Sequence, residues 1–243
     1  MSAEPGVRTY KTTQTASQVG VLTILALGLM MAFGPLSMDM YLPAFPAIEQ
    51  EFKATASVVQ LSLTACMVGL ALGQLIAGPV SDQLGRRGPL IVGLSAYVVS
   101  SLLCVWIPSI EAFIVLRFIQ GLSGAAGIVI ARAITRDMFS GHELTRFTAT
   151  LTIVFGAAPI LGPVIGGQLL RFMSWHGLFY ILAGIGAFLI LYVLFGMEET
   201  LPKEKRIKGG FRQTFKNFAT LLGDRFFLGL ALTQGFAAAC MFF

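Results

Sequence analysis

Apolar residues in this chain come in long, nearly unbroken runs rather than in amphipathic stripes. Six runs, at about 19–44, 58–78, 89–107, 112–135, 147–170 and 175–197, are each bounded by charge or by Pro and Gly. A helix needs roughly 20 residues to cross a hydrocarbon core, so each run predicts one membrane span. A seventh run begins near Phe226 and continues to Phe243. The expected organisation is a polar tail over 1–18, a six-helix membrane domain over 19–197, a linker over 198–225 and a seventh span over 226–243. The predicted fold class is all-α and polytopic. Arg8 and Lys11 precede the first run, as in a secretory signal. That run is too long for a signal core of about 7–15 residues, so it reads as a retained helix.

Composition agrees with a bilayer as solvent. Hydrophobic residues make up 56% and charged residues 12% of the 243, with a mean hydropathy of +0.79. A soluble domain carries charge at about a quarter of its positions. The net charge of +5 does not suggest nucleic acid, because the basic residues lie between the apolar runs. Cys66, Cys104 and Cys240 fall inside apolar segments without metal-ligand or disulfide spacing, and read as small core residues.

Loop charge sets the expected orientation. Arg8, Lys11, Arg86, Arg87, Arg136 and Arg146 lie on one side, joined by Lys203, Lys205, Arg206, Lys208, Arg212, Lys216 and Arg225 of the linker. The other side carries only Lys53 and Arg171. Positive loops remain in the cytoplasm, so the N-terminus and the linker are expected there, with Trp106 and Trp175 at the outer interface. The Gly209-Gly210 pair suggests a hinge within the linker.

Asp39 and Arg117 are the two strongest cases of charge within the spans. Asp39 lies roughly 30 Å along an outward-running first helix, and Arg117 about 8 Å into an inward-running fourth helix. Both are expected in the outer third of the bilayer, paired or facing one aqueous cavity. Ionisable groups in hydrocarbon are costly and mark functional sites. The bland readings are an ion pair that only fixes packing, or an Arg117 that reaches the outer headgroups. Arg117, Gln120, Gly121 and Gly124 share one helix face, which reads as a lined pathway. Met30, Phe33, Met38, Met40 and Phe45 offer an apolar lining. Gly69–Gly73 and Gly162–Gly166 are GxxxG pairs that suit close helix packing. Pro159 and Pro163, among Gly156, Gly162, Gly166 and Gly167, predict a bent fifth span with a groove beside the bend.

Competing chemistries fare poorly. Gly121-Leu122-Ser123-Gly124 followed by His176 superficially resembles an intramembrane serine protease. Ser123 would lie ~17 Å below the face where His176 sits, too far for a base to reach the hydroxyl. The sequence contains no G-x-x-x-x-G-K-[ST] nucleotide loop. A transporter would therefore draw on an ion gradient, without a cofactor or a metal, and the chain is not read as an enzyme.

The stretch Gly78-Pro79-Val80-Ser81-Asp82-Gln83-Leu84-Gly85-Arg86-Arg87 resembles the G-x-L-x-D-x-x-G-R-[RK] loop of the major facilitator superfamily. The run from Leu116 through Arg117, Gln120, Gly121 and Gly124 to Ala126 is similar to its helix-4 motif. Gly156 to Gly167 resembles the antiporter motif. Ser37-Met38-Asp39-Met40-Tyr41-Leu42-Pro43, with Pro46 and with Arg132-Ala133-Ile134-Thr135-Arg136-Asp137, resembles the Bcr/CflA branch of drug:proton antiporters. The resemblance implies the six-helix N-terminal bundle of the major facilitator fold, built as 3+3 inverted repeats, plus the start of a second half. It implies a bacterial inner-membrane exporter of small amphipathic drugs, bicyclomycin-like or phenicol-like, driven by protons. Asp39, Arg117 and Gln120 would couple proton and substrate. Gly78, Asp82, Gly85, Arg86, Arg87, Arg136 and Asp137 would form a conformational gate. Gly156, Pro159, Gly162, Pro163, Gly166 and Gly167 would form the antiporter helix. The alternative is a half-transporter that needs a missing C-terminal half and does not transport alone.

Overall fold

A computed structural model describes residues 21–207, 220 and 223–242. Every regular element among the described residues is helical: α1 (Val21–Asp39), α2 (Phe45–Phe52), α3 (Ala56–Leu84), α4 (Arg87–Trp106), α5 (Ile110–Met138), α6 (Gly141–Leu169), α7 (Trp175–Gly196) and α8 (Arg225–Phe242), with short 3₁₀ turns at Leu42–Ala44 and Lys203–Lys205. Six helical segments are long and apolar enough to cross a membrane, the first running from α1 through the turn into α2. Sequence periodicity did not separate α2. Pro43 and Pro46 cannot continue the α1 hydrogen-bond ladder, and the chain restarts as α2 with Pro46 in its first turn.

The helices outrun their apolar cores. α3, α5 and α6 each contain 29 residues, about 44 Å at 1.5 Å per residue. Polar residues such as Ser81–Gln83, Arg136 with Asp137, and His142–Arg146 extend the helices beyond the runs that hydropathy marks. Ser109 caps α5, its Oγ accepting from the Ala112 N–H at 3.4 Å.

Glycines decide which helices touch. α3 packs along α5, α4 along α5 and α7, and α1 along α5 and α6. A Cβ on Gly69 or Gly73 would overlap the Phe118 or Leu122 carbonyl, and one on Gly121 would overlap the Cys66 carbonyl. The backbones of α3 and α5 therefore meet directly, as small residues allow. α1 and α5 are the most buried of the spans, whereas α3 and α6 present Leu61, Leu72, Leu75, Ile153, Ile160 and Val164 outward.

Trp175 opens α7. It is buried in an aromatic cluster with Phe52, Phe113 and Phe179, and its indole N–H donates to Glu51 Oε2 at 2.7 Å. The fold of α2 over the start of α7 covers it. Trp106 is exposed. The Gly209-Gly210 hinge, the N-terminal tail and the Cys240 side chain lie outside the described residues.

Candidate functional site

Arg117 is completely buried in the middle of the bundle. Its Nη2 donates to the Ser37 carbonyl at 2.9 Å and its Nη1 to Gln120 Oε1. Gln120 Nε2 in turn donates to Ser101 Oγ at 2.7 Å. The guanidinium also lies 4.2 Å from the Tyr41 ring centroid and 5.6 Å from that of Phe179. Ser37 occupies the last turn of α1, where carbonyls lack helical partners and carry partial negative charge. A helix end, an amide and two aromatic faces thus compensate this cation. With no exposed surface, Arg117 does not reach toward headgroups.

Asp39 does not pair with Arg117. It forms no ion pair with any described residue, and its buried Oδ2 has no hydrogen-bond partner. Two residues of helix turn the side chain by about 200° from that of Ser37. Ser37 Oγ points inward to the Tyr97 hydroxyl, so Asp39 faces the other way. It lines a cleft of about 220 Å³ with Pro35, Met38, Met67, Leu70, Gln74, Ile128, Arg132 and Phe155. Of the other apolar residues expected beside it, Met30, Phe33 and Met40 are core residues, and Phe45 packs on Tyr41 at 5.1 Å between ring centroids.

The antiporter segment lies directly behind Asp39. A Cβ on Gly162 would come 2.9 Å from Asp39 Cβ, and one on Gly166 would overlap the Met40 carbonyl. The expected groove beside Pro159 and Pro163 is therefore filled at these glycines by the α1 backbone. Gly156 has open space around it, and Gly167 makes only ordinary contact with Pro43.

A second cluster forms where α3, α4 and α5 end. Arg86 Nη1 donates to Asp82 Oδ1 at 2.5 Å and to Ser81 Oγ at 2.8 Å, while its Nε donates to Asp137 Oδ2 at 2.9 Å. Gly85 takes φ +100°, a conformation that favours glycine, to turn the chain between α3 and α4. At Gly78 a Cβ would make ordinary contact with Val129, so packing does not demand glycine there. Arg87 leaves the cluster and caps α7, donating through Nε to the Val193 carbonyl at 3.1 Å and through Nη2 to that of Leu194. Arg136 lines the cluster's cleft of about 380 Å³ with Arg132. Burial opposes charge on Arg86, but Asp137 and Asp82 outweigh it and hold its pKa above the ordinary value.

Two participants escaped the sequence reading. Glu199, in the segment after α7, accepts from the backbone N–H groups of Arg86 (2.8 Å), Arg87 (3.3 Å) and Leu201 (3.0 Å), and lies 3.7 Å from Arg206. Burial pushes its pKa up, but these donors and Arg206 hold it below the ordinary value. An acid at the head of a basic linker was the available signal. Arg132, quoted within a motif but given no role, stands between the two clefts.

Ser123 donates to the Ile119 and Gln120 carbonyls, and His176 lies 3.3 Å from Glu51. The protease pair is not assembled.

Six spanning helices around a buried cation and an unpaired carboxylate define a multi-pass helical membrane protein. Comparison with known proteins adds the family. The sequence model of the Major Facilitator Superfamily matches residues 24–243, and the chain belongs to that family. It is 48% identical over 212 residues to the "Uncharacterized MFS-type transporter YdgK" of Bacillus subtilis (strain 168), covering 86% of this chain and 53% of that protein. It is 35% identical over 219 residues to a "Bicyclomycin resistance protein homolog" of Haemophilus influenzae, covering 90% and 55% respectively. It is 33% identical over 168 residues to the "Multidrug resistance protein MdtL" of Klebsiella pneumoniae (strain 342), covering 69% and 43%. The chain thus spans about half the length of the curated relatives it matches. The crystal structure of the human organic anion transporter MFSD10 (TETRAN) superposes with a TM-score of 0.62 at 22% identity, over 79% of this chain and 51% of that one, and shares its fold.

Proposed function

We propose that this chain supplies one wall and the coupling carboxylate of a transporter that exports small amphipathic drugs in exchange for protons. One observation carries the reading: Asp39 is only 8% exposed, has a buried oxygen without a partner, and lines a cleft between spans. A carboxylate so placed takes up a proton or pairs with a cationic group of a substrate, and protonation removes the charge that the cation pairs with. That exclusion is what exchange requires. Arg117 acts on Asp39 through the Ser37 carbonyl, by fixing the end of α1, rather than through an ion pair. Gln120 holds the guanidinium in that position.

Arg86, Asp82 and Asp137 form a latch that joins α3, α4 and α5, with Glu199 tying in the following segment. In our reading this latch lies on the cytoplasmic side of a bacterial inner membrane and opens when the bundle rocks. Alternating access needs a second wall facing the first. The names of the relatives, and the share of their length that this chain matches, support a second half as the partner. Expressed without it, the 243-residue chain would fold and insert without transporting.

The test is Asp39→Asn in the full-length transporter, reconstituted in proteoliposomes. Drug-stimulated proton flux is expected to disappear while insertion is retained. Unaltered flux would sink the coupling role.

A further inference from the structure

The cleft at Asp39 holds a second charge that the exchange reading leaves unused. Arg132 lies one helical turn beyond Ile128 on α5, and both line the cleft. Arg132 forms no ion pair with any described residue, and its guanidinium lies over the Phe155 ring at 5.6 Å. Asp82 and Asp137 pair with Arg86, and neither comes within ion-pair distance of Arg132. A carboxylate and a guanidinium therefore share one cleft without joining each other. Met38, Met67 and Phe155 line the same cleft. The Asp39 oxygen without a partner is the independent mark of a ligand position, since a buried polar atom left unsatisfied is costly.

We infer that this cleft recognises zwitterionic amphipathic molecules, with an ammonium or N–H donor on Asp39, a carboxylate on Arg132 and an aromatic body on Met38, Met67 and Phe155. The inference deepens the exporter reading and rests on this cleft being its drug site. A planar guanidinium suits a carboxylate, because two parallel N–H groups match its two oxygens. Methionine adapts to different ring systems beside such an anchor. At about 220 Å³ the cleft is smaller than the roughly 300–1,000 Å³ of a site that encloses a whole ligand. It would hold the charged ends and one ring, the remainder lying against the facing wall.

Three probes on one scaffold test this: norfloxacin, which carries both charges, its ethyl ester, which keeps only the ammonium, and N-acetylnorfloxacin, which keeps only the carboxylate. Their intrinsic fluorescence reports binding to the full-length transporter in nanodiscs. Norfloxacin is expected to bind on the order of tenfold more tightly than either relative, as a charge-assisted contact implies. Arg132→Ala is expected to weaken norfloxacin and the N-acetyl form by about that factor and the ester far less. Arg132→Lys should retain part of the preference. Retained ester binding reports that the variants are folded. Wild type that binds none of the three, or norfloxacin no better than its ester, overturns the inference. So does an Arg132→Ala variant that weakens all three equally. A wild type with the expected preference that fails to exchange norfloxacin for protons keeps this site and removes the exporter reading. Exchange without the preference does the reverse.

Discussion

The guanidinium of Arg117 ends on the backbone carbonyl of Ser37, 2.9 Å away, and not on the carboxylate two residues further along α1. This bond ties the end of α1 to the first third of α5. Its consequence for mutation differs from that of a buried ion pair. Removing one partner of such a pair leaves an uncompensated charge and costs about 3–5 kcal/mol. Arg117→Met leaves only the Ser37 carbonyl and Gln120 short of partners, so the expected loss is about 1–3 kcal/mol. The protein should therefore still fold while the position of Asp39 relaxes. Thermal unfolding in detergent beside proton-coupled flux in proteoliposomes checks this. The expected pattern is a modest stability loss with a large loss of coupling.

The glycines of α6 divide into two groups with different expected responses. Gly166 has no room for a Cβ because the Met40 carbonyl occupies that space, whereas Gly156 has nothing within 4 Å. Gly166→Ala must push α1 away from α6 beside Asp39, and overpacking of this kind costs typically about 1–3 kcal/mol. Gly156→Ala should be neutral or slightly stabilising, since alanine favours helix by up to about 1 kcal/mol. Melting temperatures of the two variants separate the cases. Equal melting temperatures would show that α1 and α6 do not touch as described.

The spans were legible because hydrocarbon length sets the size of an apolar run, and the latch was legible because Asp82, Gly85, Arg86 and Asp137 sit in recognisable motifs. The misses have physical causes. Hydropathy marks where a helix is apolar, not where it ends, so the polar extensions of α3, α5 and α6 were not visible. Residue type places Asp39 and Arg117 at one depth, but which helix face each occupies follows from how α1 ends, at Asp39 ahead of Pro43. The burial of Trp175 was not legible because the covering helix α2 was not foreseen. Glu199 satisfies backbone groups more than a hundred residues earlier in the chain, a contact that no local pattern encodes.

Glu199 gives the latch a pH dependence with a defined sign. Its pKa in the folded protein lies below the ordinary value of 4.5. The charged form is therefore the one the fold stabilises. Its contribution is complete above the ordinary value and fades as pH falls through the lower folded value. Hydrogen-exchange protection of residues 198–207, taken relative to the unstructured rate at the same pH, should be high at neutral pH and fall in acid below about pH 4.5. Glu199→Gln should exchange fast at neutral pH and lose most of that acid-induced change. A variant with the wild-type acid profile would exclude Glu199 as the clasp.

The two acids on Arg86 are unequal, and what each one connects says which matters more for the latch. Asp82 keeps 38% of its side chain exposed and lies one helical turn before Arg86, whereas the Asp137 side chain is 18% exposed and comes from α5. A local, solvated pair is worth at most about 1 kcal/mol. The Asp137 contact links the start of α4 to the end of α5, and a hydrogen bond between charged groups contributes about 1.5–3 kcal/mol. Asp137→Asn is therefore expected to lower the melting temperature more than Asp82→Asn. Loss of the tie between α4 and α5 should also change transport turnover more. Thr200 adds to this asymmetry, because its hydroxyl donates to the same Asp137 oxygen at 3.3 Å. The asparagine amide can still accept through its oxygen, so a part of the Asp137 contact survives in that variant and Asp137→Ala should be the more severe. Melting temperature and turnover measured across Asp82→Asn, Asp137→Asn and Asp137→Ala give an expected order of rising damage. An order with Asp82→Asn worst would mean that the local pair, not the link between α4 and α5, holds the latch.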